Sequence, residues 1–286
     1  MPALPALPPL REVIARYGLA PKKNLGQNFL LDPALLGRIA RTAGVLTDCT
    51  VIEIGPGPGG LTRALLDQGA AHIIAIEQDE RCIAALQELQ QQYPSRLTLV
   101  TGDALTFKPQ ALSTIAPYKI VANLPYNIAT ALLLHWFKDL TDIASITIML
   151  QKEVALRLVA VPRTSDYGRL SIITQWLCNA ERAFDIAPGA FFPPPKVTST
   201  LVHLVPRVIS EDCLSLQPFL QQVTRTAFSQ RRKMLRSGLR SLFTTDRLIE
   251  LDITPEKRPE ELTIEEFLRL ARAIQESGIT SPDVVH

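Results

Sequence analysis

Asn123-Leu124-Pro125-Tyr126 is the segment of this 286-residue chain best equipped to handle a flat nitrogenous base. An Asn side-chain oxygen and a backbone carbonyl of Leu124-Pro125 can both accept hydrogen bonds from an exocyclic NH2. Tyr126 offers a face on which a base can stack. Asn is no general base at neutral pH, so the reaction must begin without proton abstraction. Methylation of adenine N6 satisfies that condition. The amino lone pair is delocalised into the ring, and two acceptors on its N–H groups favour a pyramidal nitrogen that regains it. The lone pair can then attack a sulfonium methyl in line, driven by placement and electrostatics. In isolation the tetrapeptide could equally be a turn, because Asn and Pro both favour turns.

Glu53-Ile54-Gly55-Pro56-Gly57-Pro58-Gly59-Gly60 is the second chemical segment. Glycines between a strand and a helix let the backbone turn sharply and approach a ligand at the helix N-terminus. Gly55, Gly57 and Gly60 satisfy G-x-G-x-x-G, and Glu77 lies 22 residues after Gly55, so a dinucleotide competes as ligand. Two acids favour an adenosyl-sulfonium ligand instead. Glu53, two residues before the first glycine, can meet a cationic amine, and Asp103 can accept from an adenine amino group. Glu77 suits ribose hydroxyls. A nicotinamide enzyme leaves Asn-Leu-Pro-Tyr unexplained, and no hydride-transfer site is evident.

Positioning these groups requires strands that end at each of them. Short β-branched runs at 50–54, 73–76, 97–100, 119–122 and 146–149 alternate with helical stretches at 61–68, 81–92, 129–137 and 154–159. Strand followed by helix, repeated, predicts βαβ units in an α/β, Rossmann-like, mostly parallel doubly wound sheet. In such sheets ligands lie beyond the carboxyl ends of the strands, where all the polar signals fall. After a last strand at 197–205 come a connection over 206–218 and helices over 219–242 and 264–277, with a break near Ser229-Gln230. The expected organisation is a flexible tail over 1–20, a ligand-binding domain over 21–206 and a small all-helical C-terminal domain over 207–286.

With 47% hydrophobic and 20% charged residues, the chain can bury a core and is not disordered. No apolar run approaches the ~20 residues of a membrane span, and MPALPALPPL has neither a basic leader nor an apolar signal core. A cytoplasmic protein is expected. The four cysteines contain no C-x-x-C and do not cluster with the four histidines, so neither a disulfide framework nor a metal site is expected. The net charge of +2 conceals six basic residues and no acid within 225–240. That asymmetry points to a polyanionic partner, or else to a solvated helix face.

Together these segments resemble the ribosomal RNA adenine N6,N6-dimethyltransferase family, on its bacterial small-subunit branch. The resemblance runs from Lys22 to about Leu270 through KKNLGQNFL (22–30), EIGPGPGGLT (53–62), Glu77 and GDAL (102–105). It continues through NLPYNIAT (123–130), QKEVALRL (151–158), FFPPPKVTS (191–199) and AFSQRRKML (227–235). It implies a class I methyltransferase fold with S-adenosylmethionine as donor. The implied substrate is a pair of adjacent adenosines in the 3′-terminal hairpin loop of 16S rRNA, within the small subunit. By motif position, Asn28 and Leu30 line the methionine side, Gly55 and Gly57 lie under the cofactor, Glu77 holds ribose and Asp103 adenine. Asn123 bridges cofactor and target amine, and Phe191 stacks on the base opposite Tyr126, with Phe192 the close alternative. Lys22, Lys23, Arg231, Arg232 and Lys233 contact RNA phosphate or ribose. A monomer without metal is implied. The rivals are a large-subunit dimethyltransferase of the macrolide-resistance type and a non-catalytic RNA-binding assembly factor.

Overall fold

The computed structural model describes residues 7–21, 27–107 and 117–278. Chain contacts divide it into two compact units, Met1–Ala155 with Glu181–Pro206, and Leu156–Ala180 with Arg207–His286.

The first unit begins with α1 (Leu10–Arg16), where the sequence reading expects a flexible tail. Leu10, Val13, Ile14 and Tyr17 recur at helical spacing, and Val13 and Leu19 are buried against Cys82 and Ala85. A further tie comes from Arg63, whose Nη1 donates to the Pro8 carbonyl at 2.6 Å. The expectation of a loose tail is therefore corrected for the described residues 7–21. After β1 (Phe29–Leu30) comes α2 (Pro33–Thr42), started by Asp32, whose carboxylate accepts from the Ala34 N–H, and by Pro33 at the first helical position.

The βαβ series then runs β2 (Thr50–Ile54), α3 (Gly60–Asp67), β3 (His72–Glu77), α4 (Glu80–Gln92), β4 (Leu97–Thr101), β5 (Tyr118–Asn123), α5 (Tyr126–Trp136), β6 (Ile143–Gln151) and α6 (Lys152–Val159). Every residue of β2 is buried, as expected of a strand covered on both faces. Next come α7 (Arg169–Leu177), β7 (Cys178–Ile186), β8 (Phe191–Phe192) and β9 (Ser199–Pro206). The seven-stranded sheet has the order β4-β3-β2-β5-β6-β9-β7, and β8 pairs separately with β1. Strands β2 to β6 pair in parallel, and β9 is antiparallel to β6. Progression outward from β2 to β4, followed by a return to β5 beside β2, creates the switch point where such sheets bind ligands.

The second unit consists of α7, the second half of α6, α8 (Glu211–Leu214), α9 (Gln217–Ser229), α10 (Leu235–Gly238), α11 (Thr245–Glu250) and α12 (Ile264–Glu276), with the first residues of β7. Segment 156–180 falls here, whereas the sequence reading places it in the ligand-binding domain over 21–206. The reason is packing: the Tyr167 hydroxyl donates to the Leu262 carbonyl, and its ring meets Phe228, which stacks on Phe267. Helix α9 stops at Ser229, at the anticipated break. A reciprocal capping box of Thr263 and Glu266 starts α12. Among the described residues no helix is long and apolar enough to cross a membrane, and no group of His, Cys, Asp and Glu is placed to hold a metal ion.

Candidate active site

Strand register assembles the site within the first unit. Ile54 pairs with Ile76 on one side and Ala122 on the other, so Gly55 leaves the sheet between Glu77 and Asn123. Glu77 pairs with Thr101, which brings Asp103 alongside. One pocket enclosing about 1010 Å³, open mouth included, is lined by Asn28, Leu30, Glu53, Gly55, Gly57, Glu77, Asp103, Asn123, Leu124, Pro125 and Tyr126. Each residue expected at the cofactor or base lines it except Phe191 and its alternative, Phe192.

The glycines act through backbone geometry. Gly55, Gly57 and Gly59 all have positive φ, at 65°, 55° and 86°. A Cβ on Gly55 would meet no atom within 4 Å and would point into ligand space, whereas one on Gly57 would come within 3.1 Å of the Phe29 ring.

The three acids have different environments. Glu53 is 1% exposed, and its Oε2 has no hydrogen-bond partner among the described residues. Burial pushes its carboxyl up to about 8; Thr62 opposes the shift and nearby Glu77 adds to it. Glu77 is held by backbone N–H groups: Gly57 donates to Oε2 at 3.0 Å, and Gln78 and Asp79 each donate to Oε1 at 2.9 Å. Its carboxyl is raised by burial despite these three donors. Oε2 keeps a second lone pair for a hydroxyl. Asp103 is exposed and accepts from the Leu105 N–H through Oδ1 at 2.9 Å, and its Oδ2 accepts from no described residue.

At the other wall, Asn123 Nδ2 donates to the Asn28 carbonyl at 3.1 Å, which leaves Oδ1 as the uncommitted acceptor among the described residues. The Tyr126 hydroxyl lies 2.6 Å from Ser199 Oγ, on the first residue of β9. Burial raises the phenol and the Ser199 contact opposes that rise. Neither Ser199 nor Gln27, which reaches Asp79 and lines the pocket, was singled out from the sequence, although both lie inside the segments quoted above. Their partners are 73 and 52 residues away, and no local pattern reveals such pairs.

Phe191 is 4% exposed and packs in the apolar cluster containing Leu30 and Leu201. Phe192, on the opposite face of β8, is 49% exposed. Strand alternation makes one ring a plug and leaves the other accessible. In this structure, then, the free aromatic face is that of Phe192 and not the expected Phe191.

The basic cluster belongs to the second unit and is divided. Arg231 is half-buried and bonded within the unit: its Nε donates to Glu260 at 2.7 Å and its Nη2 to the Thr164 carbonyl at 3.1 Å. It braces the unit, so of the three residues expected at RNA it is the one already engaged within the protein. Arg232 and Lys233 are exposed and form no ion pair with any described residue. Lys22 and Lys23 lie outside the described residues.

Comparison with known proteins agrees with this arrangement. A profile described as ribosomal RNA adenine dimethylase matches residues 18–276. The chain is 54% identical over 271 residues to a ribosomal RNA small subunit methyltransferase A of Paramagnetospirillum magneticum, covering 94% of this chain and 95% of the relative. It is 50% identical over 279 residues to the protein of that name in Allorhizobium ampelinum, covering 96% and 100%. Among solved structures, a dimethyladenosine transferase from Plasmodium falciparum superposes with a TM-score of 0.75 at 28% identity, over 87% of this chain and 98% of that one. The 23S rRNA methyltransferase ErmE gives 0.67 at 28% identity, over 87% and 100%. With nearly its whole length matched, the chain belongs to the ribosomal RNA adenine dimethylase family.

Proposed function

We propose that this protein transfers methyl groups to N6 of two adjacent adenosines in the 3′-terminal hairpin loop of 16S rRNA, within the small ribosomal subunit, giving N6,N6-dimethyladenosine. The observation that carries the reading is the single pocket shared by the acid-ringed glycine loop and Asn123-Leu124-Pro125-Tyr126. The site residues fit S-adenosylmethionine: the orphaned Glu53 Oε2 suits its ammonium, Glu77 and Asp103 suit ribose and adenine, and Gly55 leaves room for its body. When bound, it supplies an electrophilic methyl on a sulfonium sulfur.

Asn28 and Leu30 wall the methionine side, and Gly57 lets the loop pass close beneath. Asn123 Oδ1 and a carbonyl of Leu124-Pro125 accept the two N6–H bonds and hold the nitrogen pyramidal, while Tyr126 stacks on the base. So held, the N6 lone pair would face the methyl that the donor supplies. The methylated, cationic nitrogen loses its proton to a carbonyl or water, so no carboxylate base is needed. The protein acts as a monomer on a pre-assembled particle in the cytoplasm.

The large-subunit reading ranks second, because identity to the small-subunit relatives is 50–54% against 28% for ErmE. Incubation with labelled S-adenosylmethionine, unmethylated small subunits and, separately, large-subunit RNA tests the choice. N6,N6-dimethyladenosine is expected from the small subunit alone. Label in the large subunit would reverse the ranking, and label in neither with tight particle binding would leave an assembly factor.

Two further outcomes follow from the surfaces. Arg232→Glu with Lys233→Glu is expected to weaken particle binding by ten-fold or more and to flatten its salt dependence, since phosphate contacts release counterions. An unchanged affinity across a salt series would move the RNA surface elsewhere. Phe192→Ala is expected to raise KM for RNA with the melting temperature unchanged, whereas Phe191→Ala costs about 3–5 kcal/mol of stability as a buried aromatic. Raised KM for Phe191→Ala in a fully folded protein, with Phe192→Ala silent, would restore Phe191 as the stacking ring.

A further inference from the structure

An Asn amide can present either its oxygen or its NH2 to a ligand, and only the oxygen can accept from N6. In this protein the choice is made by one bond, from Asn123 Nδ2 to the Asn28 carbonyl at 3.1 Å. That carbonyl sits in a short segment held on both sides. After it, Phe29 and Leu30 pair with Phe192 and Phe191. Before it, Gln27 Nε2 donates to Asp79 Oδ2 at 3.0 Å.

Asp79 is in turn a fixed post. Arg81 donates to its carboxylate through Nη2 at 2.6 Å and Nε at 3.0 Å, and the Asp79 side chain caps α4 at the Arg81 N–H. Its own backbone N–H donates to Glu77 Oε1 at 2.9 Å. The Arg81 guanidinium holds the Asp79 carboxyl down at about 2, with Gln27 helping, so it stays an acceptor across the working pH range. A continuous set of bonds therefore runs from the proposed ribose acid, through Asp79 and Gln27, to the backbone that orients Asn123.

We infer that Gln27 and Asp79 are positioning residues for methyl transfer, which hold the Asn28 carbonyl in place so that the Asn123 amide keeps Oδ1 toward the target amine. The inference rests on the role proposed for Asn123. If the clamp is lost, Asn28 shifts, the amide is free to turn, and a donor then faces the donor N–H of the substrate. Misplacement on the scale of 1 Å can cost on the order of 100-fold in rate.

The test uses the full-length protein with 15N-labelled asparagine, and Asn123→Ala identifies the Asn123 side-chain signal. Gln27→Glu sets a carboxylate against ionised Asp79. It is expected to move the Asn123 NH2 resonances to free-amide positions and to lower kcat about ten-fold. KM for RNA should stay within about two-fold and the melting temperature within a few degrees, while cofactor affinity, which Asn28 also touches, should fall by much less than kcat. Asp79→Asn in the parent sets an NH2 against a donor of Gln27 or Arg81 and should displace the amide signal and lower kcat in the same way. The inference is overturned if Gln27→Glu leaves the amide signal and kcat intact, or if kcat falls only in step with cofactor affinity. An amide that moves without any change in kcat also overturns it. In that case, activity retained by Asn123→Ala in the same assay would locate the failure in the role of Asn123 and not in the clamp.

Discussion

Asn123→Ala is expected to abolish dimethylation, lowering kcat by at least about 100- to 1000-fold, the usual cost of removing one preorganised group that acts on the transition state. Affinity for cofactor and RNA should change little. The reason lies in the geometry. The Asn28 carbonyl takes one N–H of Nδ2 and fixes the amide, so Oδ1 is the side chain's acceptor for the amine. Removing it leaves the amine with a single acceptor and its lone pair delocalised in the ring. Asn123→Asp should do nearly as badly, because a second carboxylate oxygen would face the Asn28 carbonyl where a donor now sits. Nucleoside analysis of treated small subunits reads both variants. Near-normal dimethyladenosine from Asn123→Ala would remove the residue from the reaction.

A second large effect is expected at Glu53, where binding and stability oppose one another. Its carboxyl is raised by burial from an ordinary 4.5 to about 8, so the folded protein holds one proton more than the unfolded chain between those values. Stability therefore falls as pH rises through that window and levels off above about 8. Glu53→Gln cannot ionise and escapes the penalty. Relative to the parent it should gain nothing near pH 4.5 and about 2–4 kcal/mol above pH 8, a part being lost to the unpaired amide it introduces. The same substitution removes the partner of the ligand's ammonium and should weaken cofactor binding by about 10- to 100-fold. In the parent, affinity should rise with pH toward about 8, because the buried acid must ionise before it pairs. The difference between parent and variant cancels the ligand's own titration. Calorimetry and thermal melts over pH 5–9 read both effects, and parallel melting curves for the two proteins would mean that Glu53 is already ionised in the fold.

Much of the site was legible because its residues follow strand ends, and a buried strand that stops at a polar or glycine residue leaves a local signature. Glu53, Glu77, Asp103 and Asn123 were found that way. Strand β7 was missed since Asn179, Glu181, Arg182 and Asp185 face solvent and break the apolar alternation that marks strands. The prolines at 2, 5, 8 and 9 point to a tail over 1–20, yet Leu10, Val13, Ile14 and Tyr17 carry the helical period of α1. The direction of Arg231 could not be read at all, since its partner Glu260 lies 29 residues further on.

Residue order alone determined the α/β class, the glycine turn, the ring of acids and the base-handling tetrapeptide, because backbone preference and apolar period act over a few neighbours. Which strands lie side by side was decided only in three dimensions. Placing β5 next to β2, and not beyond β4, puts Asn123 and Gly55 at one switch point. Tertiary packing also sent Phe191 inward and Phe192 outward, tied Tyr126 to Ser199, and joined Gln27 to Asp79. Each of these outcomes depends on contacts between segments far apart in the chain, whose energies have no counterpart in local sequence.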